Sequence, residues 1–225
     1  MRAVVLAAGE GRRLRPLTER WPKPVLPIDG RPVVVTLAHE LAAAGFDELT
    51  AVTGHLGEQI EELLAPLPYG IRFTRQPEPL GSADAIRHAG TEAPFLATAA
   101  DTLYRPGDLR GFWEAFAASG AAGAIAIRRQ PGRPDWTRIG VAGERVVRVQ
   151  DPGDESGYTS APAFALGSSI AARVARELPG PPYELKDAFQ GAIDAGEVVL
   201  AVEIGQTRDL TDPLDLVEQN FPYVR

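Results

Sequence analysis

The sequence predicts an α/β fold with a mostly parallel central sheet. Three observations carry that prediction. Short apolar runs of strand length alternate with segments of helical spacing along the chain, which is the pattern of a sheet covered by helices. The first run, Ala3-Val4-Val5-Leu6-Ala7, passes straight into a loop bearing Gly9 and Gly11. Composition is that of a globular protein of loop-rich build: 44% of the 225 residues are hydrophobic and 24% charged, with 23 Gly and 20 Pro.

After Gly30 the apolar residues Val34, Leu37, Ala38, Leu41 and Ala42 recur at helical spacing, and Gly45 ends the pattern. Leu49 to Thr53 reads as a strand, Ile60, Leu63 and Leu64 mark a helix, and Ile71 to Thr74 is strand-like. Gln76 to Ser82 is a loop, and Ala83 to Ala89 a short helix. Phe95 to Ala99 is an apolar strand leading to Asp101. Asp108 is expected to cap a helix whose buried face holds Leu109, Phe112, Trp113 and Phe116. Ala124 to Ile127 is a strand, residues 129–136 a Pro/Gly-rich loop, and Ile139–Ala142 with Val146–Val149 a hairpin turning near Gly143. Asp151 to Gly157 is polar loop. Ala163 to Leu166 is expected as a short strand, with Ser168 capping a helix through Val174. Leu185, Ala188, Phe189, Ala192 and Ile193 make an amphipathic helix closed by Gly196, and Val198 to Ile204 is a strand. Asp212-Pro213 opens the last helix, with Asp215 placed for a capping box.

The chain is read as one domain, residues 1–225, without repeats or low-complexity linkers. It has no cysteine, which excludes disulfides and thiolate metal sites. No apolar run approaches the roughly 18 residues of a membrane span, and the N-terminus shows no leader pattern. A cytoplasmic protein that engages neither membrane nor nucleic acid is expected, since the net charge is −7. His39, His55 and His88 have no metal-ligand spacing and are read as structural or exposed.

Against this acidic background the first loop is basic. Arg12, Arg13, Arg15, Arg20 and Lys23 face only Glu10 and Glu19. Cations on a glycine-bearing loop after a strand suit phosphate: glycine lets the backbone approach, and arginine offers a rigid fork of donors. The dinucleotide fingerprint fails, because Leu14 stands where its third glycine belongs, and the Walker Gly-Lys-Ser/Thr is missing.

The string Leu6-Ala7-Ala8-Gly9-Glu10-Gly11-Arg12-Arg13-Leu14-Arg15-Pro16-Leu17-Thr18, then Pro22-Lys23-Pro24 and Pro27-Ile28-Asp29-Gly30, resembles the sugar-1-phosphate nucleotidyltransferase family, in its short form without a second domain. The resemblance implies a Rossmann-like, three-layer nucleotide-diphospho-sugar transferase fold. It also implies the reaction of a nucleoside triphosphate with a sugar 1-phosphate to give a nucleotide sugar and pyrophosphate. In it, Leu6, Ala8, Gly9 and Gly11 cradle the nucleotide, Arg13 neutralises the pyrophosphate and Lys23 holds the reacting phosphates. Gln76 and Gly81, in a Leu-Gly-Ser-Ala segment, read the base; the Ala-Ala-Gly form of the first loop leans toward UTP or dTTP. Asp101 and Asp209 are implied ligands of Mg²⁺, the one cofactor expected. Both stand after apolar strands, where open α/β sheets place ligands. Glu184 and Ser160 fall in segments that contact the sugar. A homo-oligomer is compatible with the resemblance.

Several positions depart from the family pattern. Thr207 replaces a tryptophan before Asp209, Thr211-Asp212 replaces Gly-Thr, and Ala100 replaces a glycine before Asp101. Gln150-Asp151-Pro152 stands where many relatives have Glu-Lys-Pro, so a second phosphate-binding lysine is absent. Ser160-Ala161-Pro162-Ala163-Phe164 replaces Asn-x-Gly-x-Tyr, and Pro162 has no N–H to offer. The last two changes point to an unusual acceptor or to a reorganised recognition of it. The departures together leave two alternatives open: a cytidylyltransferase for an alcohol phosphate such as phosphocholine, with Trp136, Tyr158 and Phe164 as its aromatics, or a noncatalytic nucleotide-binding regulator. Arg128, Arg129 and Arg133 are either a solvated face or further phosphate contacts.

Overall fold

The computed structural model describes residues 1–129, 137–150, 157–176 and 178–221. Strand β1 (Arg2–Ala7) leads through three 3-10 turns, Arg12–Leu14, Leu17–Glu19 and Lys23–Val25, to a small ribbon, β2 (Pro27–Ile28) and β3 (Arg31–Pro32), and to helix α1 (Val33–Ala43). Then come β4 (Glu48–Thr53), α2 (Gly57–Leu64), β5 (Ile71–Arg75), α3 (Ser82–Ala89), β6 (Phe95–Ala99), β7 (Thr102–Leu103), α4 (Asp108–Ser119) and β8 (Gly123–Arg128). The remainder is β9 (Ile139–Ala142), β10 (Arg145–Val149), β11 (Thr159–Leu166), α5 (Ser168–Ala175), α6 (Leu185–Asp194), β12 (Val199–Glu203), β13 (Arg208–Asp209) and α7 (Pro213–Asn220).

Nine strands form one sheet in the order β5-β4-β1-β6-β11-β8-β12-β10-β9. Strands β5, β4, β1 and β6 are parallel neighbours, as are β8 and β12, whereas β11 runs against both β6 and β8, and β10 against both β12 and β9. Seven of the nine therefore share one direction, and the carboxyl ends of β1, β4, β5, β6 and β8 gather at one edge of the sheet. Alternation in β1 divides the core. Ala3, Val5 and Ala7 face Leu37, Leu41, Ile60 and Phe112 from α1, α2 and α4. Val4 faces Ile86, Ile170 and Phe189 from α3, α5 and α6. Helices thus cover both faces, as parallel strands buried on two sides require. Trp113 and Phe116 lie in this core, as their spacing predicts. No helix among the described residues is long and apolar enough to cross a membrane.

Most expected elements are present, and the exceptions have local causes. Asp108 is the first residue of α4, not its cap; Gly107 caps it at φ 93°, and the Asp108 carboxylate accepts the Gly205 N–H at 3.1 Å instead. Ser168 likewise opens α5 while Gly167 caps it, because a Cβ at Gly167 would lie 2.4 Å from the Ala122 carbonyl oxygen. The strand expected from Ala163 begins earlier, at Thr159, because Thr159 and Ser160 pair with Arg128 and Ile127 of β8. The pairing shifts between Ser160 and Phe164, so the N–H that Pro162 lacks falls where the ladder is already broken. The capping box at Asp212 forms as expected: its side chain accepts from Leu214 and Asp215 N–H, and Asp215 reciprocates. Of the expected loops, residues 130–136 and 151–156, with Arg133, Trp136 and Asp151-Pro152, lie outside the described residues.

Glu40 on α1 gives a stability prediction. Its carboxylate accepts the Tyr104 N–H at 3.1 Å, and burial pushes its pKa up to about 6. A carboxyl raised in the native state keeps a proton that the unfolded chain has already released, so stability falls as pH rises from about 4.5 to about 6. Glu40→Gln retains the acceptor and removes the charge. It is expected to raise stability by up to about 2 kcal/mol at pH 8 and to leave it unchanged near pH 4. Thermal unfolding at the two pH values reads the difference.

Candidate active site

The first loop is folded on itself. Gly11 has φ 62°, and a Cβ there would meet Thr18 Cγ2 at 2.9 Å. Thr18 Oγ1 donates to the Gly11 carbonyl at 3.0 Å, and His55 Nε2–H donates to the Thr18 carbonyl at 2.7 Å, which gives one expected structural histidine its task. Glu10 accepts from Arg12 Nε at 2.8 Å and from Arg15 Nη2 at 3.1 Å. Two of the loop's cations are thereby held to a local carboxylate. Arg13 and Lys23 line a cleft of about 480 Å³ at the carboxyl edge of the sheet, with Gly11, Asp101, Arg128, Ser160, Phe164 and Asp209. Leu6, one residue before the end of β1, pairs with Ala99 and Val52, Ala8 is buried just beyond the strand, and Gly9 has open space where a side chain would stand.

Asp101 follows β6 and forms an ion pair with Lys23 Nζ. Asp209 is brought beside it by a ribbon, β13 against β7, in which Asp209 pairs with Thr102 and the Leu210 N–H bonds to the Asp101 carbonyl at 3.1 Å. Thr102 Oγ1 stands between the two carboxylates, 2.8 Å from Asp209 Oδ1 and 3.3 Å from Asp101 Oδ1. Asp209 Oδ2 accepts from Arg128 Nη1 and from Thr207 Oγ1, each at 2.8 Å. The Arg128 side chain is only 3% exposed and that of Asp209 13%. Burial raises the Asp209 carboxyl above its ordinary range although Arg128, Thr207 and Thr102 favour its charged form. Burial likewise lowers Arg128, against the pull of Asp209. Desolvation thus outweighs pairing on both sides of this bond.

The positions that depart from the family pattern keep the carboxylates in place. Thr207, 4% exposed, supplies a hydroxyl to Asp209, and the β7–β13 ribbon holds the backbone. Two hard oxygen donors flanking one hydroxyl suit a small divalent ion that takes one or two protein carboxylates and completes its shell with phosphate oxygens and water. No group of three or more His, Cys, Asp or Glu that could hold a metal occurs among the described residues.

Gln76, Gly81 and Glu184 form a second cluster at the same edge. Gln76 follows β5, and its N–H bonds to the Thr53 carbonyl at the end of β4 at 2.8 Å. Gly81 has φ 107°, and a Cβ there would lie 2.3 Å from the Tyr183 carbonyl oxygen, so this glycine is required by the crossing of two backbones. Glu184 Oε2 accepts from Ser82 Oγ at 2.6 Å, and Ser82 Oγ accepts the Leu185 N–H at 2.8 Å, tying the start of α6 to the start of α3. Ser160 stands on the cleft wall; Glu184, Gln76 and Gly81 are not among the cleft's lining residues. Of the three candidate aromatics for a cationic acceptor, Trp136 lies outside the described residues. The Tyr158 ring is covered by the Arg129 guanidinium at 4.3 Å, and Phe164 packs against Phe189 at 5.7 Å while facing the cleft.

Sequence reasoning left Arg128 undecided, did not single out Thr102, and took Thr207 only as a departure from the family pattern. The hydroxyls carry no pattern of their own. Arg128 had a signal: it is a cation that directly ends a fully buried apolar strand, and all six residues of β8 are buried.

A family model described as "MobA-like NTP transferase domain" matches residues 3–180. The chain is 39% identical over 111 residues to an N-acetylmuramate alpha-1-phosphate uridylyltransferase of Neisseria meningitidis, covering 46% of this chain and 48% of that protein. It is 37% identical over 141 residues to a CMP-5'-(3-aminopropyl)phosphonate synthase of Streptomyces rubellomurinus, covering 60% of this chain and 22% of that protein. The aligned part is thus about half of the first relative and less of the second. A UDP-glucose pyrophosphorylase from Acinetobacter baumannii superposes with a TM-score of 0.84 at 22% identity, over 97% of this chain and 91% of that one. That likeness establishes the fold: a mixed sheet between two helical layers, as in that structure.

Proposed function

We propose that this chain, which belongs to the MobA-like NTP transferase domain family, transfers a nucleotidyl group from UTP or dTTP to a sugar 1-phosphate and releases pyrophosphate. The observation that carries this reading is that Arg13, Lys23, Asp101 and Asp209 line one cleft. Such transfer asks for charge neutralisation and alignment more than for a protein nucleophile.

A phosphate oxygen of the acceptor attacks the α-phosphorus in line. The Pα–O bond to the β-phosphate breaks, and pyrophosphate leaves with the electron pair. Lys23, now paired with Asp101, turns to the reacting phosphates when they enter. Arg13 meets the charge that grows on the leaving group. Asp101 and Asp209 would hold Mg²⁺, which when bound neutralises phosphate charge. Gln76 reads the base, and Ser160 and Glu184 are assigned to the sugar side. Arg128, held by Asp209 beside Ser160, places a buried cation on the cleft wall, where the Glu-Lys-Pro lysine of many relatives has no counterpart.

The test is pyrophosphate release with Mg²⁺ across UTP, dTTP, CTP, GTP and ATP. Each is paired with a panel of sugar 1-phosphates, phosphocholine and aminoalkylphosphonates. Release that needs UTP or dTTP together with one sugar 1-phosphate is the expected result. The Streptomyces relative, named for a cytidylyl phosphonate product, favours a second reading in which CTP and a phosphonate or alcohol phosphate react. Release confined to that pair would replace the first reading with the second. A nucleotide that binds without any turnover would favour the noncatalytic regulator.

A further inference from the structure

We infer that Asp84 is a positioning residue that makes Gln76 an acceptor-only reader of the base. The inference rests on the reading of the cleft as a nucleotidyltransferase site with Gln76 at the base.

Gln76 is 5% exposed. Its Nε2 donates to the Gly81 carbonyl at 3.1 Å and to Asp84 Oδ2 at 2.8 Å. A primary amide has two N–H donors and one carbonyl oxygen. A backbone carbonyl and a carboxylate can only accept, so the chemistry of the partners sets the amide with its nitrogen inward. Both donors are then spent. Oε1 accepts no hydrogen bond from any described residue. It is the one polar atom of the side chain left for a ligand.

Asp84 is well placed to hold this arrangement. It sits in the first turn of α3, its side chain is 12% exposed, and its Oδ2 also lies 3.5 Å from His88 Nε2 one turn on. Gly81, the other acceptor, is locked by its contact with Tyr183. Neither partner can turn away, so a flipped amide would set its oxygen against two acceptors.

A carbonyl oxygen left without a donor calls for one on the ligand. Uracil and thymine offer N3–H on the pairing edge, and guanine offers N1–H. Cytosine and adenine present a lone pair at the corresponding ring nitrogen. The site is therefore built for a base with a ring N–H, and the pyrimidines that qualify are those of UTP and dTTP. CTP would set one acceptor against another.

The experiment is calorimetric binding of UTP and CTP, without acceptor, to the wild type and to Asp84→Asn, with thermal unfolding of both proteins. Wild type is expected to prefer UTP by at least about tenfold. The amide introduced by Asp84→Asn can donate to Gln76 Oε1, so only the Gly81 carbonyl still opposes a flipped Gln76 amide. The variant is expected to narrow the preference about tenfold, mostly through tighter CTP, at nearly unchanged Tm; a merely structural role would weaken both nucleotides alike. Equal binding of UTP and CTP by the wild type overturns the inference without touching the transferase reading. An unchanged ratio in a folded Asp84→Asn overturns the role of Asp84. If the variant does not fold, N3-methyluridine triphosphate replaces it as probe: wild-type binding equal to UTP overturns the acceptor-only site, and weaker binding supports it. Failure to bind any nucleotide removes the transferase reading, and this inference with it.

Discussion

Arg13→Ala is expected to lower kcat/KM for pyrophosphate release by about 10²- to 10³-fold, the usual loss when one preorganised charge is taken from a developing anion. Arg13 is exposed and lines the cleft beside Gly11, so its removal empties no core space. Substitutions at such positions shift stability by about 0.5 kcal/mol or less, and Tm should hold. The form of the loss is informative. Leaving-group charge grows only as the Pα–O bond breaks, so kcat and kcat/KM should fall together while KM changes little. Arg12→Ala is the control. It lines the same cleft, but its guanidinium is bonded to Glu10 at 2.8 Å, and its loss should cost turnover far less. A rate for Arg13→Ala within a few-fold of wild type, or an equal loss in Arg12→Ala, would remove Arg13 from the proposed role.

That the two arginines can be told apart reflects what was legible in the sequence. The spacing of Gly9, Gly11, Arg13 and Lys23 is local, so the string alone placed them on one loop. Asp101 was legible as a carboxylate just past an apolar strand, because strand ends can be read from apolar runs; Asp209 was expected after the strand Val198 to Ile204 but lies in β13, which no apolar run announces. What brings them together could not be read that way. The β7–β13 ribbon joins two segments far apart in the chain, and the hydroxyls of Thr102 and Thr207 matter only once that ribbon has formed. Arg128 was ambiguous for a related reason. Whether a cation at a strand end faces water or the site depends on that strand's neighbours, and β8 is enclosed by β11 and β12. The caps expected at Asp108 and Ser168 failed because backbone crowding and turn geometry at Gly107 and Gly167 outranked capping propensity.

The Arg128–Asp209 pair carries the other large effect, and it separates two aspartates given the same chemical role. Asp101→Asn leaves Lys23, 20% exposed, able to turn to water, so activity should fall with little loss of stability. Asp209→Asn leaves the Arg128 guanidinium, 3% exposed, without its carboxylate. Breaking a buried pair from one side commonly costs about 3–5 kcal/mol, because the surviving charge stays desolvated. Thr102 and Thr207 bond different oxygens of Asp209; the introduced amide oxygen keeps an acceptor for one of them, and the other hydroxyl can only accept from the new NH2. Asp209→Asn should therefore lose both turnover and several degrees of Tm, and Arg128→Met should lose similar stability by stranding Asp209. Burial outweighs pairing at both groups, so the double variant Arg128→Met with Asp209→Leu should be more stable than either single variant and inactive. A double-mutant cycle on urea midpoints, closed with the single variant Asp209→Leu, measures that coupling. Additive losses would mean that the pair is not the unit the geometry describes. Recovery of stability without recovery of turnover would show that the pair is retained for what it does in the cleft and not for the fold.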